Sequence, residues 1–316
     1  MRLLRHAIIL GLSGSAIISC RPRSQSLAKL QDLLDASIVA PGKIGDALVL
    51  GDTDLTGNRN VAAGMPAIAS KNIASPTDLY LSREQFVVSF DSAAKVPAWT
   101  SWQVVNTDLG TTERQNDFRS DEILNRYLEV KIRNLGVTPD DYRETCFDRG
   151  HQAPSADRTS SVRANTATFY MSNMAPQTAF LNRVIWKDLE EYSRELVRKQ
   201  GRKLQIYAGS ILRNGREGIG PNKEIQVPEA FYKVIEVYED DDARKPMGYI
   251  AVIMPNATAD GLDPLAEKTI ACQEQEKNSK GRLPKKWQDY RVDLHDIQQK
   301  AGVSFPKLAD VSSYNR

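Results

Sequence analysis

Residues 148–158 read Asp-Arg-Gly-His-Gln-Ala-Pro-Ser-Ala-Asp-Arg, and the reading of the chain turns on them. The chain has only three histidines. His6 falls in a leader-like segment, and His295, in the helical pattern VDLHDI, reads as a structural residue. His151 differs, because it follows Asp148, Arg149 and Gly150. A glycine there lets the backbone turn sharply just before the imidazole. Taken alone, DRGH carries little weight.

The neighbouring segments add to it. Phe169–Gln177 reads FYMSNMAPQ, and Asn182-Arg183 follows, with Glu190 in NRVIWKDLE. Ile185, Leu189, Tyr192 and Leu196 form an apolar stripe, so the spacing predicts an amphipathic helix over Asn182–Lys199. Asn182 opens that helix, where it suits an N-cap as well as a ligand. Eight residues of helix turn about 80° beyond two full turns and advance about 12 Å. Asn182 and Glu190 therefore share a side of the helix, yet both reach one ion only through a bridging water. Mg²⁺ suits such a site, since it keeps several waters and takes few protein oxygens.

Outward from this centre, Phe86–Phe90, Ser101–Val105, Leu204–Ala208, Phe231–Tyr238 and Tyr249–Met254 read as strands. Ser120–Asn134 and Leu294–Gly302 read as further helices. Strands cluster before and after the helices without βαβ alternation, which predicts an α+β fold with a mainly antiparallel central sheet flanked by helices.

These segments together resemble the DNA/RNA non-specific endonucleases with the ββα-metal motif, a family to which mitochondrial endonuclease G is related. The likeness runs from about Gly64 to Leu308. It rests on RQNDFR at 114–119, DRGHQAPSADR at 148–158, SNMAPQ at 172–177, and NR at 182–183 with Glu190 beyond. Weaker matches are YAG at 207–209, VPEAFYK at 227–233 and IMPN at 253–256. The resemblance implies a ββα-metal active site and hydrolysis of DNA and RNA with little sequence preference. It makes His151 the general base that activates water. It makes Asn182 the direct protein ligand of Mg²⁺ or Mn²⁺, with Glu190 acting through water. Arg149 and Arg114 would neutralise phosphate. Two other functions stay open at this point: a nucleic-acid-binding surface lipoprotein without catalysis, and a metal phosphodiesterase for small nucleotides.

Composition bounds the rest. The chain has 316 residues, 41% hydrophobic and 26% charged, which excludes collagenous, coiled-coil and wholly disordered classes. Lys and Arg number 42 against 40 Asp and Glu, so net charge neither predicts nor excludes a nucleic-acid partner. Basic runs at 194–203 and 277–286 favour a polymer over a small nucleotide. Arg2 and Arg5 precede the apolar stretch Ala7–Ser19. Thirteen helical residues span about 20 Å, short of the membrane core, so residues 1–20 read as a secretory signal. Ile17-Ile18-Ser19-Cys20 resembles the bacterial lipobox, which would place lipid on Cys20 and hold the protein at the cell envelope. Residues 21–60 read as a tether with little fixed structure beyond one short helix at Ser26–Ile38. Residues 61–312 read as the catalytic domain, with an insertion at 260–286. Cys146 and Cys272 are both available for a disulfide in an oxidising compartment, though sequence does not place them within bridging distance. No feature fixes an oligomeric state.

Overall fold

The computed structural model describes residues 42–44, 47–51, 53–68, 78–124, 136–276 and 281–315. The expected signal segment, Cys20 and the Ser26–Ile38 helix lie outside the described residues.

The chain enters with β1 (Gly42–Ile44), β2 (Ala47–Gly51), β3 (Ala67–Ile68), β4 (Asp78–Ser82), β5 (Val87–Asp91) and β6 (Val96–Val104). After a long connection come β7 (Asp148–His151), α1 (Val162–Ala167), β8 (Met174–Gln177) and α2 (Trp186–Gln200). Next are β9 (Lys203–Ile211), β10 (Gly218–Ile219), β11 (Ile225–Gln226), β12 (Ala230–Tyr238) and β13 (Gly248–Pro255). The chain then forms α3 (Lys268–Glu276), α4 (Leu294–Ala301) and β14 (Val303–Ser304).

Eight strands form one sheet in the order β1-β2-β4-β5-β6-β9-β12-β13. Every neighbouring pair is antiparallel except β2 with β4. This is the α+β, mainly antiparallel architecture expected. The expected strands are all present and mostly longer, because apolar alternation understates strands buried on both faces. β9 is buried along its whole length. Its Leu204, Ile206 and Ala208 join one core, while Tyr207 and Ile211 join another on the opposite face. β12 and β13 divide in the same way: Phe231, Ile235, Ile250 and Val252 face the first core, and Tyr232, Val234, Tyr249 and Ala251 the second. This period of two is the pleat of the strand. α2 covers the first face with Trp186, Leu189, Leu196 and Val197. α4 covers the second with Leu294 and Ile297.

One expectation needs correction. The segment 21–60 is not slack throughout. β1 and β2 belong to the sheet, and Leu50 and Leu55 are buried. Asn60 is fully buried: its amide nitrogen donates to Glu84 O, its amide oxygen accepts from Gln103 N, and its carbonyl accepts from Ser101 and Gln205. Asn, Asp and Gly read as turn punctuation, but here the amides satisfy backbone of distant strands. Of the helix expected at Ser120–Asn134, Glu122–Leu124 are helical, and residues 125–135 lie outside the described residues.

Candidate active site

Asp148–His151 form β7, which pairs antiparallel with β8 so that His151 faces Met174 and Gly150 faces Ala175. Gly150 therefore lies in a strand, and not in the sharp turn expected. A side chain there is excluded for another reason: a Cβ would come within 2.2 Å of the Gln177 amide oxygen that crosses over it.

From β8 the chain turns into a π-helical segment, Leu181–Ile185, which continues directly as α2. The Thr178 hydroxyl accepts from Leu181 N at 3.2 Å, and Asn182 N donates to Thr178 O at 2.9 Å. Thr178 thus caps the helix, and the Asn182 side chain is left for other work. Its amide nitrogen donates to Asp148 Oδ2 at 2.9 Å. Arg183 grips the same carboxylate through Nε at 2.7 Å and Nη2 at 2.6 Å. Held by its nitrogen, the Asn182 amide has its oxygen as the remaining polar end. π-Turns of this kind recur at functional sites.

Arg114, Arg149 and Asn182 line one cleft of about 420 Å³, with Phe118, Asp148, Arg183 and Gln275 among its other walls. His151 and Glu190 are not part of this lining; they lie deeper. His151 is only 7% exposed and meets Phe118 and Phe169 at ring distances of 5.6 and 5.0 Å. These two rings also carry the arginines. Arg149 stacks 4.0 Å over Phe118, and Arg114 lies 4.9 Å over Phe169. Arg114 is fixed further by donating to Ser155 Oγ at 2.8 Å and to Asn116 Oδ1 at 2.8 Å. Burial, then the charges of Arg114 and Arg149, hold the His151 imidazolium well below its ordinary pKa. The ring is therefore neutral near pH 7. Its Nε2 is buried and has no hydrogen-bond partner. A buried nitrogen that no protein group satisfies is available to a water or a substrate group.

Glu190 is 13% exposed at the side chain and sits 3.6 Å from Lys233 Nζ. Burial raises its pKa, and Lys233 and Arg194 oppose that rise. Lys233 is 1% exposed at mid-strand in β12, with Nζ 3.9 Å over the Trp186 ring. Below this pair, Asp157 accepts from Arg194 Nη1 at 3.0 Å and from Trp102 Nε1 at 2.9 Å. The charge of Glu190 also reaches Arg114.

Sequence reading assigned no role to Phe118, Phe169, Lys233 or Asp148. Phe118 and Phe169 stand inside the quoted motifs, and aromatic rings beside arginines are a readable signal. Lys233 is legible as a lone charge in the apolar run FYKVIEVY. Among the described residues no group of three His, Cys, Asp or Glu side chains is placed to hold a metal. The donor chemistry instead fits a hard divalent cation that keeps most of its waters: one neutral amide oxygen in the cleft, with a carboxylate nearby.

The profile of the DNA/RNA non-specific endonuclease family matches residues 65–312. A nuclease of Nostoc sp. (strain PCC 7120) is 32% identical over 254 residues, covering 79% of this chain and 80% of the relative. Human mitochondrial endonuclease G is 32% identical over 210 residues, covering 63% of this chain and 67% of the relative. The crystal structure of the EndoG/EndoGI complex contains a chain of like fold, with a TM-score of 0.58 at 23% identity, covering 80% of this chain and 92% of that one. Family profile, relatives and fold agree with the ββα arrangement of β7, β8 and α2, and the chain belongs to the DNA/RNA non-specific endonucleases, divalent-metal-dependent hydrolases of the phosphodiester bond.

Proposed function

We propose that this endonuclease is exported, held at the bacterial cell envelope by lipid on Cys20, and cuts DNA and RNA with little sequence preference using Mg²⁺ or Mn²⁺. The observation that carries the catalytic part is the partnerless Nε2 of neutral His151, buried between two arginine-bearing rings.

His151 Nε2 accepts a proton from the attacking water as that water bonds to phosphorus. Neutrality near pH 7 is what a general base requires, and such a base contributes roughly 10²–10⁴-fold. Arg114 and Arg149 present guanidinium groups to the scissile phosphate, offsetting charge that grows as phosphorus becomes pentacoordinate. Asn182 Oδ1 would hold the divalent ion, Asp148 fixing the amide through its nitrogen, and Glu190 would act on it through water. That ion, when bound, supplies positive charge to the phosphate oxygens and eases departure of the leaving oxygen. Lys233 stabilises the Glu190 carboxylate in its buried setting.

These groups all address phosphate, which positions a protein without reading sequence. Water as nucleophile makes no use of the 2′-OH, so both nucleic acids are substrates. The anchor rests on the leader pattern and Ile17-Ile18-Ser19-Cys20. No helix among the described residues is long and apolar enough to cross a membrane.

The deciding experiment is plasmid relaxation and RNA cleavage with and without EDTA, using wild type and His151→Ala. Loss of both activities in EDTA and in the variant is expected. Cleavage of a dinucleotide but not of duplex DNA would overturn the polymer reading. Cys20→Ser should leave an active enzyme that no longer sediments with membranes, and continued sedimentation would refute the anchor.

A further inference from the structure

Cys146 and Cys272 form a disulfide across 126 residues of sequence, with Cα atoms 4.6 Å apart. Cys272 lies in α3, within the segment 260–286 that reads as an insertion. Cys146 stands two residues before β7 in a left-handed conformation, φ 65°. This is a conformation that residues with a Cβ adopt uncommonly. The bridge therefore bolts α3 to the point where the chain enters the active-site ribbon.

One helical turn further, α3 makes two more contacts, both to the residues around Asn182. Gln275 O accepts from Arg183 Nη1 at 2.8 Å, and Gln275 Nε2 donates to Asp148 Oδ1 at 3.3 Å. Asp148 is the carboxylate whose other oxygen holds the Asn182 amide nitrogen. A continuous chain of contacts thus runs from the disulfide through α3 and Gln275 to Asp148 and on to Asn182. Each link is short and polar or covalent, and Gln275 itself forms part of the cleft wall. Nothing in ribbon β7–β8 needs α3 for its own pairing, whose hydrogen bonds run within the ribbon. What α3 supplies is the second set of partners for Asp148 and Arg183.

We infer that α3 is a positioning element of the nuclease site, locked by the Cys146–Cys272 disulfide and acting through Gln275 on the Asp148–Asn182 hydrogen bond, so that full metal affinity requires the oxidised bridge. The inference rests on the reading of Asn182 as metal ligand. Outer groups that orient a ligand typically change metal affinity about 10–100-fold when lost. Reduction by a dithiol breaks the Sγ–Sγ bond; two electrons and two protons pass to the cysteines, and the reductant closes to its own cyclic disulfide. α3 is then free to leave Asp148 and Arg183.

The test measures Mn²⁺ binding by isothermal titration calorimetry, without nucleic acid, alongside thermal melts. Wild type is compared with Cys146→Ala/Cys272→Ala, Gln275→Ala, the three substitutions together, and Asn182→Ala. The disulfide-free protein should bind Mn²⁺ about tenfold more weakly, as should wild type reduced, alkylated and freed of reductant. Gln275→Ala keeps the bridge and the fold, so it should weaken Mn²⁺ by a smaller factor with an unchanged Tm. In the disulfide-free background Gln275→Ala should do nothing further, because α3 has already left. Wild-type affinity in Gln275→Ala, or losses that simply multiply in the triple variant, overturns the inference even if the disulfide-free protein binds weakly. Wild-type affinity in Asn182→Ala overturns the metal-site reading, and the inference falls with it; weak binding by Asn182→Ala beside normal binding by the others sinks the inference alone.

Discussion

Lys233 and Glu236 stand three residues apart on β12 and point to opposite faces of the same sheet. Their exposures are nearly equal, at 1% for the Lys233 side chain and 3% for Glu236. Their partners differ. Lys233 faces α2, where Glu190 and the Trp186 ring take up its charge. Glu236 faces the tyrosine-rich side, where the Tyr238 hydroxyl donates to it at 2.5 Å. Burial drives the Glu236 carboxyl up to about 7, and the Tyr238 hydroxyl, the charge of Lys307 and the Tyr207 hydroxyl oppose it only in part. One face pairs a buried ammonium with a carboxylate, and the other holds a carboxyl that titrates near pH 7 inside a packed core. Burial alone does not decide whether a group stays charged; the neighbour does.

The largest effect should come on the charged face. His151→Ala should lower kcat by roughly 10²–10⁴-fold with the fold intact, since its Nε2 has no protein partner to lose. Circular dichroism beside steady-state kinetics checks this, and near-wild-type turnover would contradict the assignment. Next in size is Lys233→Met. Breaking a buried pair from one side costs about 3–5 kcal/mol, because the other charge stays behind. Urea unfolding should show such a loss, and adding Glu190→Gln should recover much of it. Losses that add in the double variant would mean the two residues are not coupled.

The far face gives a smaller, pH-dependent effect. A carboxyl raised from 4.5 to about 7 binds its proton more tightly when folded. Its stabilising contribution is complete below pH 4.5, declines as pH rises, and is gone above about 7. Glu236→Gln should flatten that slope, by at most about 3 kcal/mol across the window. An unchanged pH profile of stability would show that other groups set it. The smallest expected change is a shift of the acid limb of kcat/KM. Among neighbouring charges, Arg114 contributes most to lowering the His151 pKa, after burial itself. Arg114→Gln should therefore let His151 protonate at higher pH and move the acid limb upward, whatever the loss in absolute rate. A limb that stays in place or moves down would separate the two residues.

Much of this contrast was legible before the structure. The apolar runs of β9, β12 and β13 carried the sheet, and the stripe Ile185, Leu189, Leu196 carried α2. The order of DRGH, SNMAPQ and Asn182 pointed to the candidate site, since local motifs keep their own geometry. What sequence hid was long-range and polar. β7 and β8 are four residues each, one with a proline, and show no alternation to read. Asp148 looks like one more charge in DRGH until the fold brings Asn182 and Arg183 onto it. Lys233 finds Glu190 only because α2 lies across β12. Asn60 looks like a loop residue because all but one of its partners lie in strands and loops 23 to 145 residues away.

Asn60 has a practical consequence for anyone producing this enzyme in soluble form. The family match begins at residue 65, which invites a start there. Such a trimmed protein would lack β1, β2 and the asparagine whose carbonyl accepts from Ser101 and Gln205 and whose amide oxygen accepts from Gln103 and Arg158. Four buried polar groups beneath the sheet would then face each other without their common partner, and β4 would lose its parallel neighbour and become an open edge. A gene beginning ahead of Gly42 keeps the sheet edge covered and that polar knot tied.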